Sequence, residues 1–244
     1  MTYELYYWPG IQGRGEYVRL ALEYAGAKYV DVALVPEKKG GGTKAVVKFL
    51  EARNVRRPPF APPYLKSGRL LIGQTANILL YLGGRLTLAP RDEAGRLWTH
   101  QLQLTIADFI LEIHDVHHPI SPNQYYAQQK APAKRRAKAF LAERLPKFMG
   151  YFERVIARNP AGGPGMVGGR LTYADLSMAQ VIAGLEFAFP VAMRKALRTY
   201  PRLAALHEHV FSRPRIKRYV ASGRRLVFNN DDLYRHYPEL DRKS

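Results

Sequence analysis

The stretch Tyr3-Glu-Leu-Tyr-Tyr-Trp-Pro-Gly-Ile-Gln-Gly-Arg-Gly-Glu16 decides how the fold begins. Residues 3–8 are rich in aromatic side chains, which is typical of a β-strand, and Pro9-Gly10 would end that strand. From Glu16 to Tyr24 the apolar residues recur at helical spacing. The chain is therefore predicted to start as strand, loop and helix.

The remainder of the first 84 residues alternates strand and helix signals. A second strand is predicted over 29–35, followed by a short amphipathic helix through Val46 and Leu50. Prolines at 58, 59, 62 and 63 exclude a helix there, and residues 64–72 around Ser67-Gly68 are typical of a hairpin. With a helix over 76–82, the order β-α-β-α-β-β-α predicts a compact α/β domain over residues 1–84.

Everything after residue 90 carries helical patterns, so the predicted second domain over 90–244 is all-α. Helices are predicted over 92–118 and over 131–158, where Pro146 should introduce a kink. Thr172-Tyr-Ala-Asp175 has the pattern of a helix N-terminal capping box, and further helices should begin near Pro201 and Pro214. The fold class predicted is thus an α/β domain followed by an all-helical bundle of five or six helices with an irregular tail.

Composition excludes several functional classes. The 244 residues contain no cysteine, which rules out disulfides, thiolate metal sites and a cysteine nucleophile. The sequence starts with a strand pattern rather than a signal peptide, and no apolar run approaches the ~18 residues of a membrane span. A cytoplasmic protein without membrane contact is expected.

The formal charge of +18 is concentrated in two helical segments. Residues 130–158 carry nine cations against two carboxylates, and residues 190–225 carry ten against one. Solvated helix faces explain such segments without any partner, whereas neither segment shows the interleaved exposed aromatics or any recognised motif of a nucleic-acid surface. Nucleic acid is therefore not expected as a partner.

Three local motifs, in this order, resemble the soluble glutathione transferases over essentially the whole chain. The first is Tyr7-Trp8 followed by the short loop to Arg14 and Glu16. The second is Pro63, followed eleven residues later by Gln74-Thr75, which is similar to the family's cis-proline and Gln-Ser pair. The third is the capping motif at residues 171–175. The resemblance is to the tyrosine-type (sigma/mu/alpha-like) classes, which implies a thioredoxin-like N-terminal domain and a helical C-terminal domain.

The resemblance implies an enzyme that conjugates the glutathione thiolate to an apolar electrophile. A cysteine-like thiol has a pKa of ~8.5, and lowering it by about two units requires roughly 2.7 kcal/mol of preferential stabilisation of the anion. A hydrogen bond to a charged group supplies about 1.5–3 kcal/mol, so a hydroxyl and a nearby cation suffice. Tyr7 as donor and Arg14 as cation fit these catalytic roles. Tyr6 remains an alternative donor, because adjacent strand residues face opposite sides.

The glutathione site implied by the resemblance comprises Trp8, Pro62, Pro63, Gln74 and Thr75, and Arg53 is a candidate by region for the glycyl carboxylate, with Lys48 and Arg56 as alternatives. The start of a helix at Gln74-Thr75 suits the γ-glutamyl carboxylate, since free backbone N–H groups point outward there. Two departures from the family pattern stand out. Pro62 has no N–H for the cysteinyl backbone, and His100 or Gln101 occupies the place where several tyrosine classes offer an aspartate to the γ-glutamyl amine.

The electrophile pocket is expected to be lined by Phe109, Ile113, His117 and Tyr234. The neighbouring His114, His117 and His118 lack carboxylate support at ligand spacing, so a helix C-terminal cap is preferred over a metal site. No metal or cofactor is expected beyond glutathione as co-substrate, and a homodimer is implied by the family. The rival hypothesis is a non-catalytic module on the same fold, whose basic helices engage nucleic acid or an acidic partner.

Overall fold

The computed structural model describes residues 2–241. Its first half is built on a four-stranded sheet in the order β2-β1-β3-β4. β1 runs parallel to β2 and antiparallel to β3, and β3 pairs antiparallel with β4. The strands span Tyr3–Tyr6 (β1), Tyr29–Asp31 (β2), Tyr64–Ser67 (β3) and Leu70–Gly73 (β4).

Three helices cover the two faces of this sheet: α1 (Gly15–Ala25), α2 (Gly42–Glu51) and α3 (Thr75–Arg85). On one face, Val46 and Phe49 of α2 pack against a small aromatic cluster around Tyr6 and Tyr64. On the other face, α1 and α3 join a large core that continues into the helical half of the chain. The predicted β-α-β-α-β-β-α order is confirmed.

Two local predictions in this half were wrong. The second strand does not extend to residue 35, because residues Val32–Leu34 form a 3-10 turn that buries Val32 and Ala33 under the sheet. The predicted helix over 76–82, expected to end at Gly83-Gly84, spans Thr75–Arg85 instead. Gly83 lies so close to the Tyr173 ring that a β-carbon there would be 2.7 Å from it, so this glycine serves close packing rather than termination.

The second half contains the helices α4 (Glu93–His117), α5 (Lys130–Ala139), α6 (Leu145–Ala157), α7 (Tyr173–Ala188), α8 (Pro190–Thr199), α9 (Pro201–Phe211) and α10 (Pro214–Ala221). α7 is central and almost wholly buried, and it packs against α1, α4, α8 and α9. Its capping box is present as predicted, since Asp175 accepts a hydrogen bond from the Thr172 N–H at 2.7 Å.

The predicted interruption at Pro146 takes the form of a π-helical turn over Phe140–Arg144, between α5 and α6. Proline lacks the N–H that would bond four residues back, and a π-turn re-registers the backbone at such a point. Pro190, Pro201 and Pro214 each occupy the first turn of a helix, where a missing N–H costs nothing.

The chain after α10 folds back over both halves of the molecule. Asp241 accepts hydrogen bonds from the N–H groups of Val191 and Ala192 and so caps α8. Tyr234 lies against Gly184 of α7, where a side chain would collide with its ring. Leu233, Tyr234 and Leu240 of the tail are therefore part of the core. None of the helices within residues 2–241 combines the length and apolarity needed to cross a bilayer.

Candidate functional site

Tyr6 and Tyr7 lie on opposite faces of the sheet. The Tyr6 ring stacks on Tyr64 with centroids 4.8 Å apart, and its hydroxyl donates to Glu4 at 2.7 Å. Tyr7 instead lies under the loop that leads into α1, and its hydroxyl oxygen accepts the backbone N–H of Arg14 at 2.9 Å. The two candidate donors are therefore in different surroundings, and the Tyr6 hydroxyl already donates its hydrogen to the Glu4 carboxylate.

The Tyr7 hydroxyl keeps its own proton. Burial raises the pKa of Tyr7, with the Arg14 N–H acting in the opposite direction. Because the bond from Arg14 uses only a lone pair of the oxygen, the hydroxyl hydrogen is still available for donation. At neutral pH this group is a hydrogen-bond donor.

Two glycines allow the loop to approach Tyr7 this closely. A β-carbon at Gly13 would overlap the Tyr7 hydroxyl, and one at Gly15 would lie 2.7 Å from the ring. Gly13 also has a positive φ of 44°, which side chains rarely adopt. The Gly-Arg-Gly sequence thus places the Arg14 amide directly on the phenol oxygen.

A cleft of about 340 Å³ opens where this loop meets α3 and α4. We call it the cleft; its lining residues are Arg14, Gln74, Thr75, Ala76, Asn77, His100, Gln103, Leu104, Ala107 and Ile110. Its volume is at the lower end of the range for small-molecule sites, about 300–1,000 Å³. One wall is the positive end of α3, and the other is a stripe of α4 residues spaced three or four apart.

Three side-chain atoms in the cleft are buried without any partner: Thr75 Oγ1, His100 Nδ1 and Gln103 Oε1. Buried polar atoms are nearly always hydrogen-bonded in folded proteins, so a concentration of orphans in one cleft calls for an explanation. Gln74, which precedes α3, is also held at φ 67°, a conformation uncommon outside glycine.

The opposite side of the loop is fixed by the C-terminal tail. Asp232 is 2% exposed and accepts the backbone N–H groups of Gln12 at 3.0 Å and Gly13 at 2.8 Å. Burial raises the pKa of Asp232, while these N–H groups act to lower it. The tail thus holds the segment that carries Arg14.

Further contacts extend this clamp into a buried group that we call the tail cluster: Gln12, Glu16, Gln180, Arg225 and Asp232. Arg225 donates to Glu16 Oε1 at 3.0 Å and to Gln180 Oε1 at 2.8 Å. The Gln180 amide donates to Gln12 Oε1 at 2.7 Å. Glu16 also accepts from the Tyr219 hydroxyl at 3.0 Å and lies 3.4 Å from Arg19. Both oxygens of Glu16 and both amide atoms of Gln12 and Gln180 are thereby paired.

The remaining glutathione-site candidates are not brought into the cleft. Trp8 packs on the aromatic cluster beside α2, and Arg53 is exposed after the end of that helix. The Pro62-Pro63 peptide bond is cis, as the resemblance implies, and both prolines are buried at the start of β3. Of the predicted residues, Arg14, Gln74 and Thr75 line the cleft together.

The expected electrophile-pocket residues lie in the helical core instead. Phe109 stacks on Phe148 with centroids 4.4 Å apart, and Ile113 is 1% exposed. The Tyr234 hydroxyl pairs with that of Tyr17 at 2.6 Å. These three assignments need correction, because aromatic and aliphatic residues at helical spacing serve the core of α4 and its neighbours here.

His117 is likewise a structural residue. Its Nε2 lies 2.9 Å from the Leu233 carbonyl oxygen, and burial lowers its pKa to about 3. Since a carbonyl only accepts, Nε2 carries the proton and the neutral ring accepts at Nδ1 from His118. His117 therefore holds the C-terminal tail against α4 and does not line a pocket.

Sequence reasoning missed Asp232, Gln12 and Gln103. The Asp232 contacts join residues about 220 positions apart, and nothing in the local pattern announces them. Gln103 did leave a signal: it occupies a position in line with Ile106 and Ile110, where the helical period calls for an apolar side chain.

Comparison with known proteins gives a consistent result. The family described as "Glutathione S-transferase, C-terminal domain" matches residues 114–223. A glutathione S-transferase of Plasmodium falciparum is 27% identical over 230 residues, covering 92% of this chain and 97% of the relative. One from Plasmodium yoelii yoelii is also 27% identical and covers 89% and 92% of the two chains.

Solved structures carry the same fold. The Pi-class glutathione S-transferase of Onchocerca volvulus superposes with a TM-score of 0.69 at 19% identity, covering 91% of this chain and 93% of the other. The fold is therefore a thioredoxin-like N-terminal domain followed by an all-helical C-terminal domain. The sequence relatives, which are similar to this chain over most of the length of both, support the cytosolic glutathione S-transferase family.

Proposed function

We propose that this chain is a glutathione S-transferase of the tyrosine type, which attacks an apolar electrophile with the thiolate of glutathione. The observation that carries the proposal is the arrangement around Arg14: its amide orients the Tyr7 hydroxyl, and its side chain lines the cleft at the start of α3. The curated relatives named glutathione S-transferase support the same activity.

Tyr7 would stabilise the thiolate by donating its hydroxyl hydrogen to the sulfur. The Arg14 N–H fixes the oxygen and polarises the O–H bond, and the raised pKa keeps the proton in place at neutral pH. A bond of this kind to an anion contributes about 1.5–3 kcal/mol, which lowers the pKa of a thiol by roughly one to two units. The Arg14 cation adds to the effect.

The γ-glutamyl carboxylate would bind at the start of α3. The backbone N–H groups of Thr75, Ala76 and Asn77 belong to the first turn, which has no intrahelical acceptors for them, and the first bond back to Gln74 comes from Ile78. Thr75 Oγ1 has no partner and can donate to the same carboxylate. Ala107 and Ile110 form the apolar wall that an electrophile requires.

Pro62 would weaken glutathione binding. In the family pattern the residue before the cis-proline exchanges two backbone hydrogen bonds with the cysteinyl unit, but Pro62 offers only its carbonyl. One lost bond of about 0.5–1.5 kcal/mol corresponds to about three- to tenfold in affinity. A KM for glutathione above that of relatives with an N–H at this position is expected.

A homodimer is part of the proposal. Leu97, Leu104 and Leu111 follow each other at intervals of seven along α4 and are 49–64% exposed. Such a stripe is typical of a helix that packs on another helix. A Leu97→Lys/Leu111→Lys variant should sediment as a monomer, while the wild-type chain should sediment as a dimer.

Conjugation of glutathione to an aryl halide tests the activity directly. Tyr7→Phe should reduce kcat/KM by about 10- to 100-fold and raise the pKa of the bound thiol, as followed by its ultraviolet absorbance. Tyr6→Phe is the matched control, because it removes a hydroxyl bonded to Glu4 on the opposite face. Equal rates for wild type and Tyr7→Phe would remove Tyr7 from the mechanism.

The rival module that binds nucleic acid through basic helices is not favoured by the comparisons. Titration of a generic duplex at two salt concentrations tests it, since phosphate-dominated binding falls steeply with salt. A cytoplasmic location, a role in detoxification, the absence of any metal and the division into domains 1–84 and 90–244 also belong to the proposal.

A further inference from the structure

A second concave region, of about 620 Å³, lies between the first half of the chain and α10. It is lined by the end of α1, the start of β2 and one face of α10, and it shares no residue with the cleft. Four cations line it against one carboxylate, and we therefore call it the basic groove. Its charged residues are Glu23, Lys28, Arg215, Arg218 and Arg224.

The basic groove exists because α10 is amphipathic. Its side chains Ile216 and Tyr219 are buried against Leu20 of α1. This packing leaves Arg215 and Arg218 exposed along the groove. Part of the formal charge of +18 is thereby gathered at one concave surface instead of being spread over the molecule.

Two of the four cations stabilise the fold, and two do not. Arg224 donates to both carboxylate oxygens of Glu23, at 2.5 and 3.0 Å, and Arg215 donates to a backbone carbonyl oxygen near the end of α1 at 3.2 Å. Lys28 and Arg218 are exposed, and neither side chain has an ion pair or hydrogen bond to any residue in the described part of the chain. Because the one carboxylate of the groove is already paired, these two charges have no counter-charge there.

The basic groove adjoins the open edge of the sheet at β2. β1 covers one side of this strand, and no strand among residues 2–241 pairs with its other side. The Tyr3 N–H donates to the Lys28 carbonyl oxygen at 3.0 Å, and Tyr3 lies opposite Tyr29 in the parallel register. In a parallel pair a residue bonds to the two neighbours of the residue opposite, so the N–H and C=O groups of Tyr29 point away from β1. Since Tyr29 also lines the groove, the edge and the free charges are contiguous.

The edge and the cations together select the chemistry of a partner. An open edge accepts a further strand through backbone hydrogen bonds, and free cations favour carboxylates on that strand. A second copy of this chain would bring its own Lys28 to the edge, where like charges repel. A nucleic acid would neutralise the cations, but it carries no row of peptide groups to match a strand. An acidic polypeptide in an extended conformation matches both features.

We propose that the basic groove and the edge of β2 together bind an acidic, extended segment of another protein. The segment would lie beside β2 as a fifth strand and place its carboxylates near Lys28 and Arg218. This interaction surface goes beyond the proposed function and does not depend on it, because none of its residues lines the cleft.

Fluorescence anisotropy with a labelled heptapeptide of alternating Glu and Val, at low salt, tests the charge requirement. The wild-type chain should bind this probe, and Lys28→Glu/Arg218→Glu should weaken binding by about tenfold or more, since two attractions become repulsions. Arg135→Glu/Lys138→Glu is the matched control, because it makes the same change of charge at two exposed positions of α5. This control should bind the probe as wild type does.

Two methylated probes test the edge requirement. One carries an N-methyl group on every Val and the other on every Glu, so both retain all carboxylates. A strand pairs with one neighbour through the N–H groups of alternate residues only. One methylated probe should therefore bind about tenfold more weakly than the other, because it loses two or three backbone hydrogen bonds.

Each alternative gives a distinct result. No binding of the probe to wild type, or an equal loss in both double variants, would overturn the proposal, since net charge alone would then explain any binding. Equal affinity for the two methylated probes would show that the edge of β2 is not used and would overturn it too. Tighter binding of a short generic DNA duplex than of the peptide, weakened by Lys28→Glu/Arg218→Glu alone, would assign the groove to nucleic acid. Conjugation of glutathione should be unchanged in both double variants, so its loss would reveal a defect of folding, and Lys28→Glu alone, outside any helix or strand, would then replace the double variant.

Discussion

The tail cluster and the cleft are two buried polar regions on either side of the same loop, and they differ in how their hydrogen bonds are satisfied. In the tail cluster, Glu16 accepts from Arg225 and Tyr219, and Gln180 is bonded at both amide atoms. In the cleft, Thr75, His100 and Gln103 each have a buried atom without a partner. The paired groups of the tail cluster hold the fold together, whereas the three atoms of the cleft do not; unpaired buried atoms also occur outside the cleft, for example Tyr173 Oη and Ser177 Oγ.

The largest expected effect on the free energy of unfolding is in the tail cluster, at Glu16. Replacing Glu16 by Ala removes the buried carboxylate that pairs with Arg225 at 3.0 Å, while Arg19 keeps its ion pair with Asp31 at 2.6 Å. Breaking a buried ion pair from one side costs about 3–5 kcal/mol. Denaturant unfolding should show that loss for Glu16→Ala, while Glu51→Ala at an exposed position should stay within about 0.5 kcal/mol of wild type. A loss below about 1 kcal/mol for Glu16→Ala would mean that the cluster contributes little to stability.

The next prediction concerns Asp232, which holds the loop through its hydrogen bonds to the backbone. Asp232→Ala leaves the buried N–H groups of Gln12 and Gly13 without an acceptor, which should lower the free energy of unfolding by about 2–4 kcal/mol. Asp231→Ala removes an exposed carboxylate from the adjacent position and should leave stability unchanged. If the two variants unfold at the same denaturant concentration, the tail does not hold the loop.

The difference between these regions also explains what the sequence could reveal. Local signals predicted the strand and helix order, the capping box at Thr172 and the helix starts at Pro201 and Pro214, because each depends on neighbours within a few residues. The same reasoning brought Gln74 and Thr75 to a helix start, where the structure places them.

Long-range pairings were beyond such reasoning. Phe109 and Tyr234 were expected to line a pocket. In the structure Phe109 stacks on the Phe148 ring and Tyr234 pairs with the Tyr17 hydroxyl, so both residues belong to the core. Composition and spacing do not distinguish an aromatic that faces a pocket from one that faces another helix. Asp232 had no local signal at all, since its partners lie at the other end of the chain.

The buried side chain of His117 makes the stability of the fold depend on pH. Burial lowers its pKa from 6.5 to about 3, with the charges of Arg235, His114 and His118 acting in the same direction. The unfolded chain therefore binds a proton near pH 6.5 that the folded chain refuses, so stability present above pH 6.5 is lost as the pH falls towards 3. Between pH 7 and pH 5 the contribution of His117 is about 2 kcal/mol.

Comparison of wild type with His117→Asn over this pH range isolates the effect. The variant should be less stable at pH 7, since the bond to the Leu233 carbonyl is disturbed, but its stability should fall less steeply towards pH 5. Parallel curves for the two proteins would show that His117 is not the group that titrates.

The smallest effect comes from a matched pair of buried glutamines, one in each region. Gln180→Leu removes an amide that both donates to Gln12 and accepts from Arg225, so it should cost about 1–3 kcal/mol. Gln103→Leu removes an acceptor that has no partner, and without ligand it should be neutral or up to about 1 kcal/mol more stable than wild type. A ligand-free Gln103→Leu as unstable as Gln180→Leu would show that the orphaned oxygen already has a structural role, and the distinction between the two regions would fail.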